Sequence, residues 1–336
     1  MGLASVLANP RVNVFKVFPN SGPHRTVICA LLALWCARSE AELGLQSWVQ
    51  RFSGLVNADD RAYRAATDSG GNVFVAGTTD TGFTGLDIVI VKYSPDGALL
   101  WINQYNGPGN GDDRVNALAV DSSGSVFVAG STLSSNGTVD YVTIKYANGG
   151  GPLWTNLYNG VGNGTDVATA AAVDSGGNVY VSGYSLGVGV SYDYVTIKYS
   201  GAGGQLWVNS YNGPANGDDE ALAIAIDGSD NVYVTGYTTS GANNLDYATI
   251  KYLNGGTPVW TNRFNGLGNS TDTPTGLAAD SSNNVYVTGY SMGSSSGLDY
   301  ATIKYSSNGV SSVDQSLQRT RKRRGQSHRS GCRRNQ

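Results

Sequence analysis

Residues 140–146 read DYVTIKY, and the same seven letters return at 193–199. DYATIKY follows at 246–252 and 299–305, with a looser DIVIVKY at 87–93. Each copy starts 53 residues after the one before. The tryptophans keep the same step at Trp48, Trp101, Trp154, Trp207 and Trp260. So do Lys92, Lys145, Lys198, Lys251 and Lys304, and two aspartate series. One is Asp60, Asp113, Asp166, Asp219 and Asp272; the other is Asp68, Asp121, Asp174, Asp227 and Asp280. A fixed period near 50 residues signals a solenoid, a propeller or an array.

The inside of one unit separates these. Between Val167 and Asn212 lie VATAAAV, the turn DSGG, NVYVSGY, a variable loop, DYVTIKY, a Gly-rich turn and QLWVNSYN. Alternating Val, Tyr and Thr bounded by Gly, Asn and Asp predict four short strands joined by hairpins. A β-helix coil would repeat faster, and the 3.6-residue rhythm of helical repeats is absent. Four antiparallel strands in some 50 residues make a propeller blade. The ends sharpen this. LQSWVQRF (residues 45–52) matches a fourth strand with no three before it, while 275–305 supplies three strands and VSSV (310–313) is a poor fourth. The expectation is an all-β, five-bladed β-propeller over residues 40–313, closed by the N-terminal strand in a Velcro that hides the sheet edges.

The pattern W-x-x-x-Y-N-G-x-x-N-G-x-D, D-S-x-G-N-V-Y-V-T-G-Y-S and D-Y-x-T-I-K-Y resembles the bacterial SBBP β-propeller repeat across roughly residues 45–310. The resemblance implies a secreted or cell-surface propeller. The family's name supposes seven blades and this chain has five, which leaves a closed five-bladed ring or part of a larger one; the complementary ends favour closure.

Composition bounds the function. Only 14 % of residues are charged, against 46 glycines and 20 tyrosines. Eight of the 22 basic residues crowd between Arg319 and Arg334, leaving an acidic body that is a poor partner for nucleic acid. Residues 314–336 therefore read as a basic disordered tail. Near the other end, VICALLALWC (27–36) follows His24 and Arg25 and precedes small residues, the shape of a secretory signal peptide within an N-terminal extension, 1–39. That run is too short to span a membrane. Cys29, Cys36 and Cys332 all lie outside the repeats, so no disulfide framework is available there.

For the recurring residues a structural role is expected. The tryptophans should wedge between sheets, and each lysine stem should lie along a neighbouring blade with its ammonium on a carboxylate of the Asp113 or Asp121 type. Asp121, Asp174, Asp227 and Asp280 open hairpin turns, where Asp bonds its own backbone. Asp60, Asp113, Asp166, Asp219 and Asp272 sit in blade-to-blade connections such as NGPGNGDD and are the candidates for Ca²⁺. However, the Asp-x-Asp-x-Asp-Gly spacing is missing, and Asp112 and Asp218 become Thr165 and Thr271 in other units. No cofactor is assigned. The repeats hold no His, no Cys and one glutamate, Glu220, and nearly every Asp recurs equivalently, which argues against a single asymmetric catalytic site. The sequence thus predicts a noncatalytic, extracellular, monomeric scaffold meeting an unknown protein or glycan. The alternative is a multivalent lectin using the variable loops at 78–86, 131–139, 184–192, 237–245 and 290–298. A propeller glycosidase ranks third.

Overall fold

The computed structural model describes residues 47–54, 58–189, 191–241 and 244–314. The expected signal peptide and all of the basic tail beyond Asp314 lie outside them. No described helix is long and apolar enough to cross a membrane.

Every described element is a strand, in five antiparallel sheets of four, each ordered as in the chain. The first sheet holds β1 (Asp60–Thr67), β2 (Val73–Asp80), β3 (Leu86–Tyr93) and β4 (Leu99–Tyr105). The second holds β5 (Arg114–Val120), β6 (Val126–Leu133), β7 (Val139–Tyr146) and β8 (Pro152–Tyr158). β9 (Asp166–Val173), β10 (Val179–Leu186), β11 (Tyr192–Tyr199) and β12 (Gln205–Tyr211) form the third. β13 (Asp219–Ile226), β14 (Val232–Gly241), β15 (Asn244–Tyr252) and β16 (Pro258–Phe264) form the fourth. The fifth is β17 (Asp272–Ala279), β18 (Val285–Gly293), β19 (Gly297–Tyr305) and β20 (Ser311–Asp314). The predicted strands of the 167–212 unit thus fall on β9 to β12 almost residue for residue.

Period-two alternation assigns the faces. In β6, Val126 and Val128 point back to the first sheet, where they meet Phe74 and Ala76. Phe127 and Ala129 point forward to the third, onto Val179 and Val181. In the second, third and fourth sheets the middle strands are covered on both sides, which explains the unbroken apolar runs and the near-complete burial of DYVTIKY, whereas β18 and β19 expose alternate residues on one face. Burying two faces per sheet is where the stability lies, at roughly 25 cal/mol per Å² of apolar surface.

Closure by the N-terminal strand is not present among the described residues. β20 takes the fourth place in the last sheet, pairing Ser311 with Tyr305 and Asp314 with Thr302. Ser312, not Val313, stands opposite Lys304 where the other sheets place Trp, because this hairpin lacks the bulge they share. The segment around Trp48 instead lies on the first sheet, with Trp48 and Phe52 covering Val89, Val91 and Tyr93. A short hairpin costs far less closure entropy than a partner some 250 residues away in sequence, which favours β20 at this edge.

Candidate functional site

The repeated charged and aromatic residues converge on the seams between sheets. Lys198, on β11, stands across from Tyr180 of β10 in register. Its ammonium lies 4.6 Å from that ring's centroid. It also meets the Asp174 carboxylate at 3.1 Å and the Asn254 carbonyl and side chain of the next sheet. Lys145 repeats this with Phe127, Asp121 at 3.6 Å and the Gly201 carbonyl. Lys92 does so with Phe74, Asp68 at 3.4 Å and the Asn148 turn. Lys251 reaches the Ser307 carbonyl and Tyr233, and Lys304 lies over Tyr286. The lysine partner is thus the Asp121 type rather than the Asp113 type, and it belongs to the lysine's own sheet; the neighbouring sheet supplies a backbone carbonyl. Lys92, Lys145, Lys198 and Lys251 are buried, so this series lies in the seams rather than lining an open channel.

The same aspartates cap their turns as expected. Asp174 Oδ1 accepts from the Gly176 and Asn178 amides at 3.0 and 2.8 Å. Burial alone would raise its carboxyl, but the Asn178 contacts and the Lys198 ammonium outweigh that and hold it below the ordinary carboxylate value.

Trp101, Trp154, Trp207 and Trp260 lie half-buried rather than fully wedged. Trp101 rests between Phe74 of its own sheet and Tyr146 of the next, and its Nε1 donates to the Asn148 carbonyl at 3.0 Å. What the sequence reading passed over as a Gly-rich turn is the floor of this contact. Gly150 has φ +94°, and a Cβ there would lie 2.8 Å from Trp101 Cγ. Gly97, Gly203, Gly256 and Gly309 stand in the same relation to Trp48, Trp154, Trp207 and Trp260. Asn103, Asn156, Asn209 and Asn262 complete each seam, donating to the carbonyl of the matching glycine at 2.7–2.8 Å. The constant 47-residue spacing of these pairs was the signal available in the sequence.

At the opposite edge of each seam the calcium candidates are taken up by donors. Asp219 accepts from the Gly213 amide and Thr238 Oγ1, both at 2.5 Å, and from the Thr239 amide at 3.1 Å. Asp113 holds Gly107 and Thr132 in the same way. Asp60, Asp166 and Asp272 accept from Gly54, Gly160 and Gly266. Among the described residues Asp166 Oδ1 is buried with no hydrogen-bond partner, and no three His, Cys, Asp or Glu gather as metal ligands. Burial pushes the Asp113, Asp166 and Asp219 carboxyls up, aided by the neighbouring carboxylates Asp87, Asp140 and Asp218 respectively.

Equivalence breaks most at the third-to-fourth seam, on the rim that carries the variable loops. Tyr184 and Tyr192, at the two ends of one loop, meet edge to face at 5.0 Å. Glu220 stands across from Tyr237 in the β13–β14 register. Burial raises the Glu220 carboxyl, the Tyr237 hydroxyl opposes this, and Asp218 adds to the rise. Burial pushes the Tyr184 and Tyr237 hydroxyls up, and the Glu220 charge adds to both. The equivalent positions to Glu220 are Arg61 and Arg114, each exposed and paired with Asp59 or Asp112, then Val167 and Thr273. Sequence reasoning noted Glu220 as an exception but could not supply its tyrosine partners, which come from two sheets. The loop tips add exposed apolar side chains at Phe83 and Val188.

The profile of the SBBP Beta-propeller repeat matches residues 100–138, 213–245 and 259–295. This chain carries SBBP beta-propeller repeats. The matched segments begin on an outer or connecting stretch and run through the next hairpin, so the SBBP unit straddles the seams described above. No curated protein matches the chain. Among solved structures, a protein of unknown function from Dyadobacter fermentans is 11 % identical, with 76 % of this chain and 83 % of that one covered at a TM-score of 0.45. The β-propeller domain of the trilobed protease from Pyrococcus furiosus is 5 % identical, with 74 % and 69 % covered at 0.46. A Hadza microbial sialidase is 9 % identical, with 74 % and 57 % covered at 0.45. At these scores none of the three bears on what this SBBP-repeat chain does.

Proposed function

We propose that this protein is a noncatalytic, extracellular propeller scaffold that presents its variable β2–β3-type loops on one rim to a partner. The observation that carries the reading is where the chemistry has gone. Lysines, tryptophans and asparagines are spent on holding sheet to sheet, and both aspartate series on the turns, connections and lysines of their own sheet. A catalytic acid needs a carboxyl free to face substrate. The most distinctive carboxyl, Glu220, is engaged by Tyr237.

A second reading, carbohydrate binding, is favoured by the same cluster. Tyrosine rings and a carboxylate beside loops rich in Ser, Asn and Thr offer both stacking and hydrogen bonding to a sugar. A glycan array separates the two. Binding lost on replacing residues 184–192 and on Tyr184→Ala would establish the lectin, and an empty array together with a captured protein partner would support the scaffold. Polysaccharide hydrolysis abolished by Glu220→Gln would overturn both.

A further inference from the structure

The two ends of the stack expose complementary halves of the interface that is built four times inside it. At three of the four seams the forward face of one sheet offers a tyrosine whose hydroxyl donates to the next sheet's backbone; at the first, the position is Ile88. Tyr141 gives to Val195, Tyr194 to Ala248 and Tyr247 to Tyr290, at 3.2–3.3 Å. These three are 1 %, 1 % and 0 % exposed. Tyr300 is next in the series, and it is 80 % exposed. Around it Tyr286, Thr288 and Tyr290 are also exposed, whereas Tyr233 and Thr235, their equivalents in the fourth sheet, are fully buried. The last sheet therefore shows solvent the same surface that the fourth sheet buries.

The receiving half is at the other end. Ala62 of the first sheet is exposed, while its equivalents Val115, Ala168 and Ala221 are buried by the preceding sheet. Val73 and Val75 beside it are only partly covered. One component of a preceding sheet is already in place there. Trp48 donates to the Pro95 carbonyl at 3.1 Å and Gln50 to the Gly97 carbonyl at 2.9 Å, as Trp101 and Asn103 do one seam later. The last sheet lacks this piece, since β20 is four residues long and carries no tryptophan. Among the described residues, one end has the tryptophan segment without a sheet of its own, and the other has the sheet without a tryptophan in its fourth strand.

We infer that the forward face of the last sheet binds the first sheet of a second copy of this chain, head to tail. The contact repeats an interface the chain already makes between its own sheets. Such a heterologous contact either closes into a ring of several chains or extends as a filament. It also covers apolar surface that would otherwise be open to aggregation.

Sedimentation velocity of the full chain over a hundred-fold range of concentration tests this. Species larger than one chain should grow with concentration. Tyr300→Glu and Ala62→Glu should each return the protein to a single chain with an unchanged melting midpoint, because both side chains are exposed within one chain. Each variant keeps one intact end, so mixing them should give a one-to-one dimer and nothing larger. A single-chain mass at every concentration would overturn the inference, and so would assemblies that ignore both substitutions. A fall in midpoint for Tyr300→Glu in a single-chain species would overturn it too, by showing that the chain's own first sheet covers that face.

Discussion

A single carboxylate in this fold does opposite things at the two edges of a sheet. Asp174 sits with amide donors and an ammonium, so its folded pKa lies below the ordinary value. It stabilises the protein above that ordinary value, and the contribution fades as pH falls through the depressed one. Asp219 is raised, first by burial, despite its three hydrogen bonds. Its contribution is full below the ordinary carboxylate value and is lost as pH climbs through the raised one. Ionised Asp219 therefore weighs against folding at neutral pH. Asp219→Asn removes that titration, so the variant's melting midpoint relative to the parent should rise as pH climbs above the ordinary carboxylate value. A thermal series showing the gap narrowing over that climb would refute the assignment. Lys198 belongs to the same scale. Its removal as Lys198→Ala would strand buried Asp174 and should cost about 3 kcal/mol in denaturant unfolding.

At the scale of the element, the outer strand and the facing turn act as one unit. Trp101 lies flat on Gly150 because glycine alone has no Cβ to fill that space and tolerates the positive φ. Gly150→Ala should therefore cost about 3 kcal/mol, combining backbone strain with overlap on the indole. Gly149→Ala, one residue earlier with nothing within 4 Å of its added Cβ and no positive φ, should be neutral within about 0.5 kcal/mol. Equal effects at the two glycines would show that the indole contact is not what constrains the turn. The strands themselves were legible, since alternation and turn residues place β9 to β12 correctly. The seam contacts were not, because each joins residues some 47 to 56 apart whose geometry depends on how two sheets stack.

For the whole molecule, five similar sheets make four similar seams among the described residues, with the Trp48 contact added on the first sheet. Stability in such an array is approximately a sum of sheet and neighbour terms. Amide and hydroxyl donors occupy the Asp113 and Asp219 carboxylates, which predicts that stability does not depend on a bound ion. Excess EDTA should leave the melting midpoint unchanged, and a drop of several degrees would restore calcium to the seams. The Glu220 cluster was half legible. The departure from repetition marks the residue, but only folding brings Tyr184 and Tyr237 from different sheets to the same charge.

What the amino-acid order determined alone was the repeat, the four-stranded unit and the two-sided burial of DYVTIKY. Each follows from spacing and alternation within some fifty residues. Which strand completes the last sheet, which carboxylate holds each lysine, and which tyrosine is left facing water were decided by tertiary structure. These are contests between local hairpins and distant surfaces, and their outcome rests on chain entropy and packing between sheets rather than on any local pattern.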